Sequence, residues 1–110
     1  MGFTQLDETN FAENVFTSKK PVFVQFSADW CGVCKNIQPQ LDRLSNDFEG
    51  KINFAKVDVA ECMELADKYG VSSLPTFLVV ADHEIKGQMI GSQSNADFLK
   101  VLNEAINGQL

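Results

Sequence analysis

The chain has 110 residues, of which 45% are hydrophobic and nine are Phe, and its formal net charge is −6. This hydrophobic content excludes a disordered chain. The length predicts a single domain over residues 1–110, with a core large enough to fold without a structural metal. An acidic chain without a basic cluster argues against nucleic acid or an anionic membrane as a partner. It suits transient contacts with other proteins.

The cellular compartment is also constrained by composition. No stretch approaches the roughly 20 apolar residues that span a bilayer, and the first residues lack the basic and apolar segments of a signal peptide. The odd count of three Cys does not suit a secreted fold held by disulfides. These observations predict a reducing compartment such as the cytoplasm.

The predicted elements alternate between strands and helices. In chain order they are an edge strand at 3–6, a helix at 10–17, a strand at 21–27, a helix ending at 48, a strand at 52–59, a helix at 61–69, strands at 76–81 and 85–90, and a helix from 94 or 95 to 107. Pro39 is expected to kink the second helix. The order predicts an α/β fold with a central mixed sheet, half parallel and half antiparallel, and helices on both faces.

The segment Trp30-Cys31-Gly32-Val33-Cys34-Lys35 lies between a predicted buried strand and a predicted helix. Residues i and i+3 are neighbours on a helix, so Cys31 and Cys34 can close an internal disulfide or open as a dithiol. Free N–H groups and the partial positive charge at a helix start lower the pKa of the first cysteine. We therefore expect Cys31 to be the attacking nucleophile and Cys34 the resolving thiol.

Two other interpretations of the pair are weaker. Tetrahedral zinc needs four ligands, and the remaining candidates, Cys62 and His83, lie in different elements without ligand spacing. Two buried core cysteines fit poorly, because the pair opens a helix after a loop and lacks apolar periodicity. A Cys-x-x-Cys pair within a strand–helix–strand unit is instead typical of a redox site.

Four segments carry a resemblance to a known family. They are Trp30-Cys31-Gly32-Val33-Cys34-Lys35, Phe54-Ala55-Lys56-Val57-Asp58-Val59, Leu74-Pro75-Thr76-Phe77 and Gly91. Through them the chain resembles the thioredoxin family over almost all of its length. The resemblance implies the thioredoxin fold, a three-layer sandwich, with a cis peptide bond before Pro75. It also implies an apolar groove for an extended client segment, formed by Trp30, Val59, Ser73, Leu74, Pro75 and Gly91.

The resemblance further implies a protein-disulfide reductase that acts through a redox-active Cys31–Cys34 disulfide in cell redox homeostasis. A thioredoxin reductase would recharge this electron carrier with NADPH electrons through its flavin, so the chain itself would bind no cofactor or metal. Clients would be disulfide-containing proteins such as peroxiredoxins, and the chain would be a monomer. A thioredoxin-like interaction module and a more oxidising oxidase or isomerase remain open alternatives.

Two residues depart from the family pattern. Gln25 occupies the position of a buried carboxylate that would help to deprotonate Cys34. We expect Gln25 to hydrogen-bond Lys56 or a water, and the resolving step to be slower, with water or the Cys31 thiolate as the base. Val33 stands where the family usually has Pro. Its N–H predicts a stabilised thiolate and a less negative reduction potential, although a pure packing role remains open.

The other candidate residues have supporting roles. Trp30 is expected to form a groove wall, Lys35 to favour the thiolate, and Gly32 and Lys56 to support the pair. Cys62 is predicted to be a spare thiol, with a regulatory role left open. His83 is predicted to be solvated at a hairpin tip, without a part in the chemistry.

Overall fold

The computed structural model describes residues 2–110. Within these residues the chain forms five strands and four helices, in the predicted order. They are β1 (Thr4–Leu6), α1 (Phe11–Phe16), β2 (Val22–Ser27), α2 (Gly32–Asp47), β3 (Asn53–Asp58), α3 (Met63–Lys68), β4 (Thr76–Ala81), β5 (Glu84–Ile90) and α4 (Asn95–Ile106). The predicted type of every element is confirmed, while most boundaries differ by one or two residues.

The strands form one mixed sheet in the order β1-β3-β2-β4-β5. β1 and β2 both pair with β3 in parallel, while β4 pairs antiparallel with β2 and β5. Every residue of β2 and of β4 is buried. Central strands with both faces covered have this burial, which explains their nearly continuous apolar sequences.

The core lies on both faces of the sheet because successive side chains of a strand point to opposite sides. Val24 and Phe26 pack on one face with Phe11 of α1 and Leu65 of α3. The other face carries Phe23, Phe54 and Phe77 of the sheet, packed with α2 and α4 residues that include Ile37, Leu41, Leu44, Phe98 and Leu102. The predicted three-layer architecture is therefore confirmed. Near the end of α4, Ala105 is buried against this face, whereas Ile106 is 37% exposed.

Helix α2 begins earlier than the apolar periodicity from residue 36 onward indicates. Its first helical residue is Gly32, and it continues through Pro39 to Asp47. Its N-cap is Cys31, whose side chain accepts a hydrogen bond from the Cys34 N–H. A side chain that satisfies a free N–H group in the first turn is what allows a helix to begin there.

A second segment, between α3 and β4, approaches the start of α2. The Leu74–Pro75 peptide bond is cis, which confirms the prediction. The Gly91 N–H donates to the Pro75 carbonyl at 2.8 Å, and Gly91 has φ +82°, a conformation that favours glycine. The two turns are thereby held together at one end of the sheet. Across residues 2–110, no helix has the length and apolar character needed to cross a membrane.

Candidate active site

Cys31 and Cys34 form a disulfide, with their Cα atoms 5.3 Å apart. The Cys34 N–H donates to Cys31 Sγ at 3.2 Å. Cys31 has an extended backbone, which turns its side chain back over the first turn of α2. The prediction that the two thiols stand at the start of a helix is confirmed.

The two cysteines face different surroundings. Cys31 is half-buried and lines an apolar groove, whereas Cys34 is buried and lines a polar cleft. Of the two sulfur-bearing residues, Cys31 is the one that lines the groove. Cys34 borders the polar cleft, where it can exchange a proton.

The groove contains part of the predicted residue set. Trp30, Val59 and Leu74 line it beside Cys31. Pro75 is buried behind this surface, and its carbonyl is the group that binds the Gly91 N–H. Ser73 is exposed in the same turn, where its carbonyl accepts a hydrogen bond from the Thr76 hydroxyl at 2.6 Å. Ser73, Pro75 and Gly91 therefore shape the turn and are not among the residues that line the groove.

Sequence reasoning missed the side of the groove that α3 and the segment after it provide. The additional lining residues are Met63, Ala66, Asp67, Val71 and Ser72. Met63 is 68% exposed. A large apolar residue on the outer face of a short helix was the available signal, because it does not serve the core. No local sequence pattern orients that helix toward Cys31.

The polar cleft lies where the parallel strands β2 and β3 end. Register pairs Gln25 with Lys56 and Ser27 with Asp58, so these side chains share one face of the sheet. The cleft beside Cys34 is lined by Gln5, Ser27, Ala28, Asp29, Lys35, Gln38, Lys56 and Asp58. Two carboxylates and two ammonium groups thus line the cleft beside Cys34. Asp29 and Asp58 were not predicted as site residues.

Gln25 is fully buried, and its side-chain amide has no hydrogen-bond partner among residues 2–110. The expected hydrogen bond between Gln25 and Lys56 is therefore wrong. Lys56 Nζ donates instead to Gln38 Oε1 at 3.3 Å. The Lys56 side chain is long enough to carry its ammonium group to the cleft, where the charge stays hydrated. Gln25 is fully buried, and the ammonium group therefore does not contact it.

The remaining supporting residues lie around the first turn of α2. Gly32 and Val33 are exposed, Val33 by 47%, so Val33 has little packing to lose. Lys35 is exposed and lines the polar cleft. Trp30 is 69% exposed at the rim of the groove.

Cys62 and His83 lie outside this arrangement. Cys62 is buried at the start of α3, and burial is the main cause that raises the pKa of its thiol, with nearby carboxylates adding to it. His83 is exposed in the turn between β4 and β5, with its Nδ1 2.8 Å from the Phe16 carbonyl oxygen. Within the described part of the chain, no group of three or more His, Cys, Asp or Glu side chains could hold a metal ion.

Comparisons with known proteins agree with this geometry. The family model described as Thioredoxin matches residues 2–104. Thioredoxin C-2 of Corynebacterium nephridii is 35% identical over 99 residues, covering 90% of this chain and 92% of that protein. The chloroplastic M-type thioredoxin of Triticum aestivum is 37% identical over 100 residues, covering 91% of this chain and 57% of that protein.

A solved structure is also similar. It comes from work on the thiol resolving mechanism in yeast mitochondrial 1-Cys peroxiredoxin via glutathione/thioredoxin systems. The TM-score is 0.84 at 28% identity, with 93% of this chain and 94% of the solved chain covered. Together with the Cys31–Cys34 pair, these matches show that the chain belongs to the thioredoxin family of thiol–disulfide oxidoreductases.

Proposed function

We propose that the chain reduces disulfides in other proteins, with Cys31 as the nucleophile and Cys34 as the resolving thiol. The Cys31 thiolate attacks one sulfur of the client disulfide, and the other client sulfur leaves as a thiolate that takes up a proton. Cys34 then loses its proton and attacks Cys31 Sγ. This second attack closes the Cys31–Cys34 bond and releases the remaining client sulfur, so that two electrons have passed to the client.

The observation that carries this assignment is the hydrogen bond from the Cys34 N–H to Cys31 Sγ at 3.2 Å. It places Cys31 Sγ at the N-cap of a 16-residue helix. An N–H donor and the partial positive charge of the helix start both favour a sulfur anion at that position. Cys34 is buried, which supports Cys31 as the sulfur that attacks the client first.

Client binding is assigned to the groove beside Cys31. Trp30, Val59 and Leu74 present apolar surface to an extended client segment, and the Leu74 backbone is suited to pair with that segment as an added strand. Ser73, Pro75 and Gly91 act through the shape of the turn that presents Leu74. Trp30 is the candidate for the largest single contribution, since exposed aromatic residues dominate many interfaces.

Four further residues support the pair. Lys35 and Lys56 place positive charge along the cleft that borders Cys34, which favours a thiolate there. Gly32 and Val33 supply N–H groups in the first turn of α2, next to the sulfur that must carry negative charge.

We also infer the setting in which the reaction runs. Electrons come from NADPH through a flavin-dependent thioredoxin reductase, and clients include peroxiredoxins. The similarity to a chain from the yeast peroxiredoxin work supports the client class. The chain acts as a monomeric single domain in the cytoplasm, and its net charge of −6 disfavours nucleic acid and anionic membranes as partners.

An insulin-reduction assay with NADPH and thioredoxin reductase tests the proposal. The wild type is expected to accelerate insulin reduction, and the double variant Cys31→Ser/Cys34→Ser to lose all acceleration. Cys62→Ala is the matched control and keeps the activity, because Cys62 lies apart from the pair. A double variant that keeps the wild-type rate would contradict the proposal, and a parallel oxidative refolding assay shows whether oxidation outweighs reduction.

A further inference from the structure

The resolving step needs an acceptor for the Cys34 proton. Gln25 cannot serve, since a neutral amide does not take up a proton at physiological pH. Cys34 is buried and borders the polar cleft. The acceptor must therefore act from that cleft.

The cleft can conduct a proton. Its volume is about 170 Å³, which holds several water molecules at about 30 Å³ each. The titratable side chains that line it with Cys34 are Asp29 of the preceding loop, Lys35 of α2, and Lys56 and Asp58 of β3. Only the two carboxylates are proton acceptors in their ordinary charged form.

Asp58 is better placed than Asp29. It is the last residue of β3 and is half-buried, and its Oδ1 accepts a hydrogen bond from the Ala60 N–H at 2.9 Å. Its Oδ2 accepts none from any residue in the described range 2–110, so that oxygen remains available to water. Asp29 is exposed in a loop, and no hydrogen bond from the described residues holds its carboxylate. Asp58 therefore has both a fixed position and an available oxygen.

We propose that Asp58 accepts the proton of Cys34, through water in the cleft, during the resolving step. The inference rests on the proposed function and deepens it. Lys56 lies two residues earlier on the same face of β3, where its ammonium group stabilises the Cys34 thiolate once the proton has left. Asp58 of β3 thus takes over the role of the buried carboxylate that the family has at the position of Gln25 on the neighbouring strand β2.

The Cys34 S–H bond breaks, and its proton passes through water to the Asp58 carboxylate. The Cys34 electron pair forms the bond to Cys31 Sγ, and the bond between Cys31 Sγ and the client sulfur breaks. The client sulfur leaves as a thiolate and takes up a proton, and Asp58 returns its own proton to the water of the cleft.

The two attacks can be followed separately with 5,5′-dithiobis-(2-nitrobenzoate). In a Cys62→Ala background, attack by Cys31 releases the first coloured thiolate and resolution by Cys34 releases the second. Asp58→Asn is expected to leave the first phase unchanged and to slow the second about tenfold near neutral pH, less than the ~10²-fold typical of a lost general base because water remains as a weaker acceptor. The variant rate approaches that of the wild type as the pH rises above the pKa of a free thiol, about 8.5.

Matched variants separate proton transfer from other effects. Asn at position 58 retains an oxygen for the Ala60 N–H, so the backbone contact survives. Asp29→Asn removes the same charge from the same cleft and should not slow the second phase, and Asp58→Glu should retain the wild-type pH profile. An Asp58→Asn variant that resolves at the wild-type rate, or that is slowed equally at every pH, would overturn the inference, as would equal slowing by Asp29→Asn. Absence of a fast first phase in the wild type would instead contradict the proposed function.

Discussion

Cys31 combines exposure to clients with a hydrogen bond that suits a sulfur anion. Its Sγ is 3.2 Å from the Cys34 nitrogen, at the N-cap of α2. We expect alkylation of the reduced protein by iodoacetamide to titrate with a midpoint below about 8.5, the pKa of a free thiol. The measurement uses Cys34→Ser/Cys62→Ala, so that only Cys31 reacts. A midpoint equal to that of a cysteine in an unstructured peptide would contradict this account of its reactivity.

The Cys62 thiol should be less reactive than that of Cys31, because its pKa is raised rather than lowered. Burial raises the pKa of its thiol, and the neighbouring carboxylates that add to this effect are those of Glu8, Asp7, Glu61 and Asp58. A raised pKa means that the folded state keeps the proton that the unfolded state loses. The associated stability is therefore complete below about pH 8.5, the unfolded pKa, and is lost as the pH rises through the folded value.

This pH dependence can be measured by urea denaturation. The free energy of unfolding of the wild type should decline between about pH 8 and about pH 10, and the decline should be shallower in Cys62→Ala. The same Cys62 thiol should resist bulky thiol reagents in the native protein and react after denaturation. Identical pH profiles for the two proteins would show that Cys62 does not titrate differently on folding.

The buried amide of Gln25 is expected to lower the stability of the protein. Its side chain is fully buried and has no hydrogen-bond partner within residues 2–110. Replacing an unsatisfied polar group by an apolar one of similar shape removes a penalty of about 1–3 kcal/mol. We expect Gln25→Met to raise the free energy of unfolding in urea by about that amount.

The matched control for this substitution is Gln38→Met. Gln38 accepts a hydrogen bond from Lys56, so the same change removes a real contact and should bring no gain in stability. If Gln25→Met, like Gln38→Met, brought no gain in the free energy of unfolding, the Gln25 amide would be satisfied in solution.

At the scale of elements, we expect the N–H donors in the first turn of α2 to influence the reduction potential of the cysteine pair. Val33 is 47% exposed and lies two residues beyond the Cys31 N-cap, so its N–H is among the free groups of that turn. Val33→Pro removes this donor without disturbing the helix, because proline is tolerated in the first turn. Loss of about 1 kcal/mol of thiolate stabilisation should make the potential more negative by about 20 mV.

Equilibration with a glutathione buffer measures this shift. Val33→Ala is the control, because it removes the same side chain but keeps the N–H, and it should retain the wild-type potential. Equal shifts in the two variants would assign the effect to packing rather than to the donor.

The helices and strands show what the sequence can and cannot determine. The apolar character of β2 and β4 and the spacing of Ile37, Leu41 and Leu44 depend on local patterns, so they predicted the correct elements and the buried faces. The cysteine pair was correctly placed at the start of α2, whereas the apolar periodicity alone begins only at Ile37, because the helix start depends on a cysteine cap. The contact of Lys56 with Gln38 joins two elements and depends on side-chain reach, which no local pattern contains.

At the scale of the whole molecule, the topology brings distant segments to one end of the sheet. The loop before α2, the outer face of α3 and the turn at Leu74 surround Cys31, while the ends of β2 and β3 surround Cys34. The resemblance supplied Trp30, Val59 and Leu74 in the groove, but Met63 and its neighbours required the packing of α3. The disulfide thus lies between an apolar surface that suits clients and a polar cleft that suits proton exchange.

This division predicts that client recognition can be weakened without changing the chemistry of the thiols. Trp30 is 69% exposed on the groove, where a protein client would cover it. Trp30→Ala should lower kcat/KM for insulin about tenfold, since a buried aromatic contact commonly contributes more than about 1 kcal/mol to binding. The same variant should react with 5,5′-dithiobis-(2-nitrobenzoate) at the wild-type rate in the first phase, because that small disulfide needs Cys31 but little of the groove.

Ile85→Ala provides the comparison, because Ile85 is an exposed apolar residue of β5 that does not line the groove. It should leave both reactions unchanged, which separates recognition in the groove from a general loss of surface hydrophobicity. If Trp30→Ala slowed both reactions equally, Trp30 would act on the Cys31 thiolate rather than on the client. The assignment of the groove as the client-binding surface would then lose its main support, while the exchange chemistry of the two cysteines would stand.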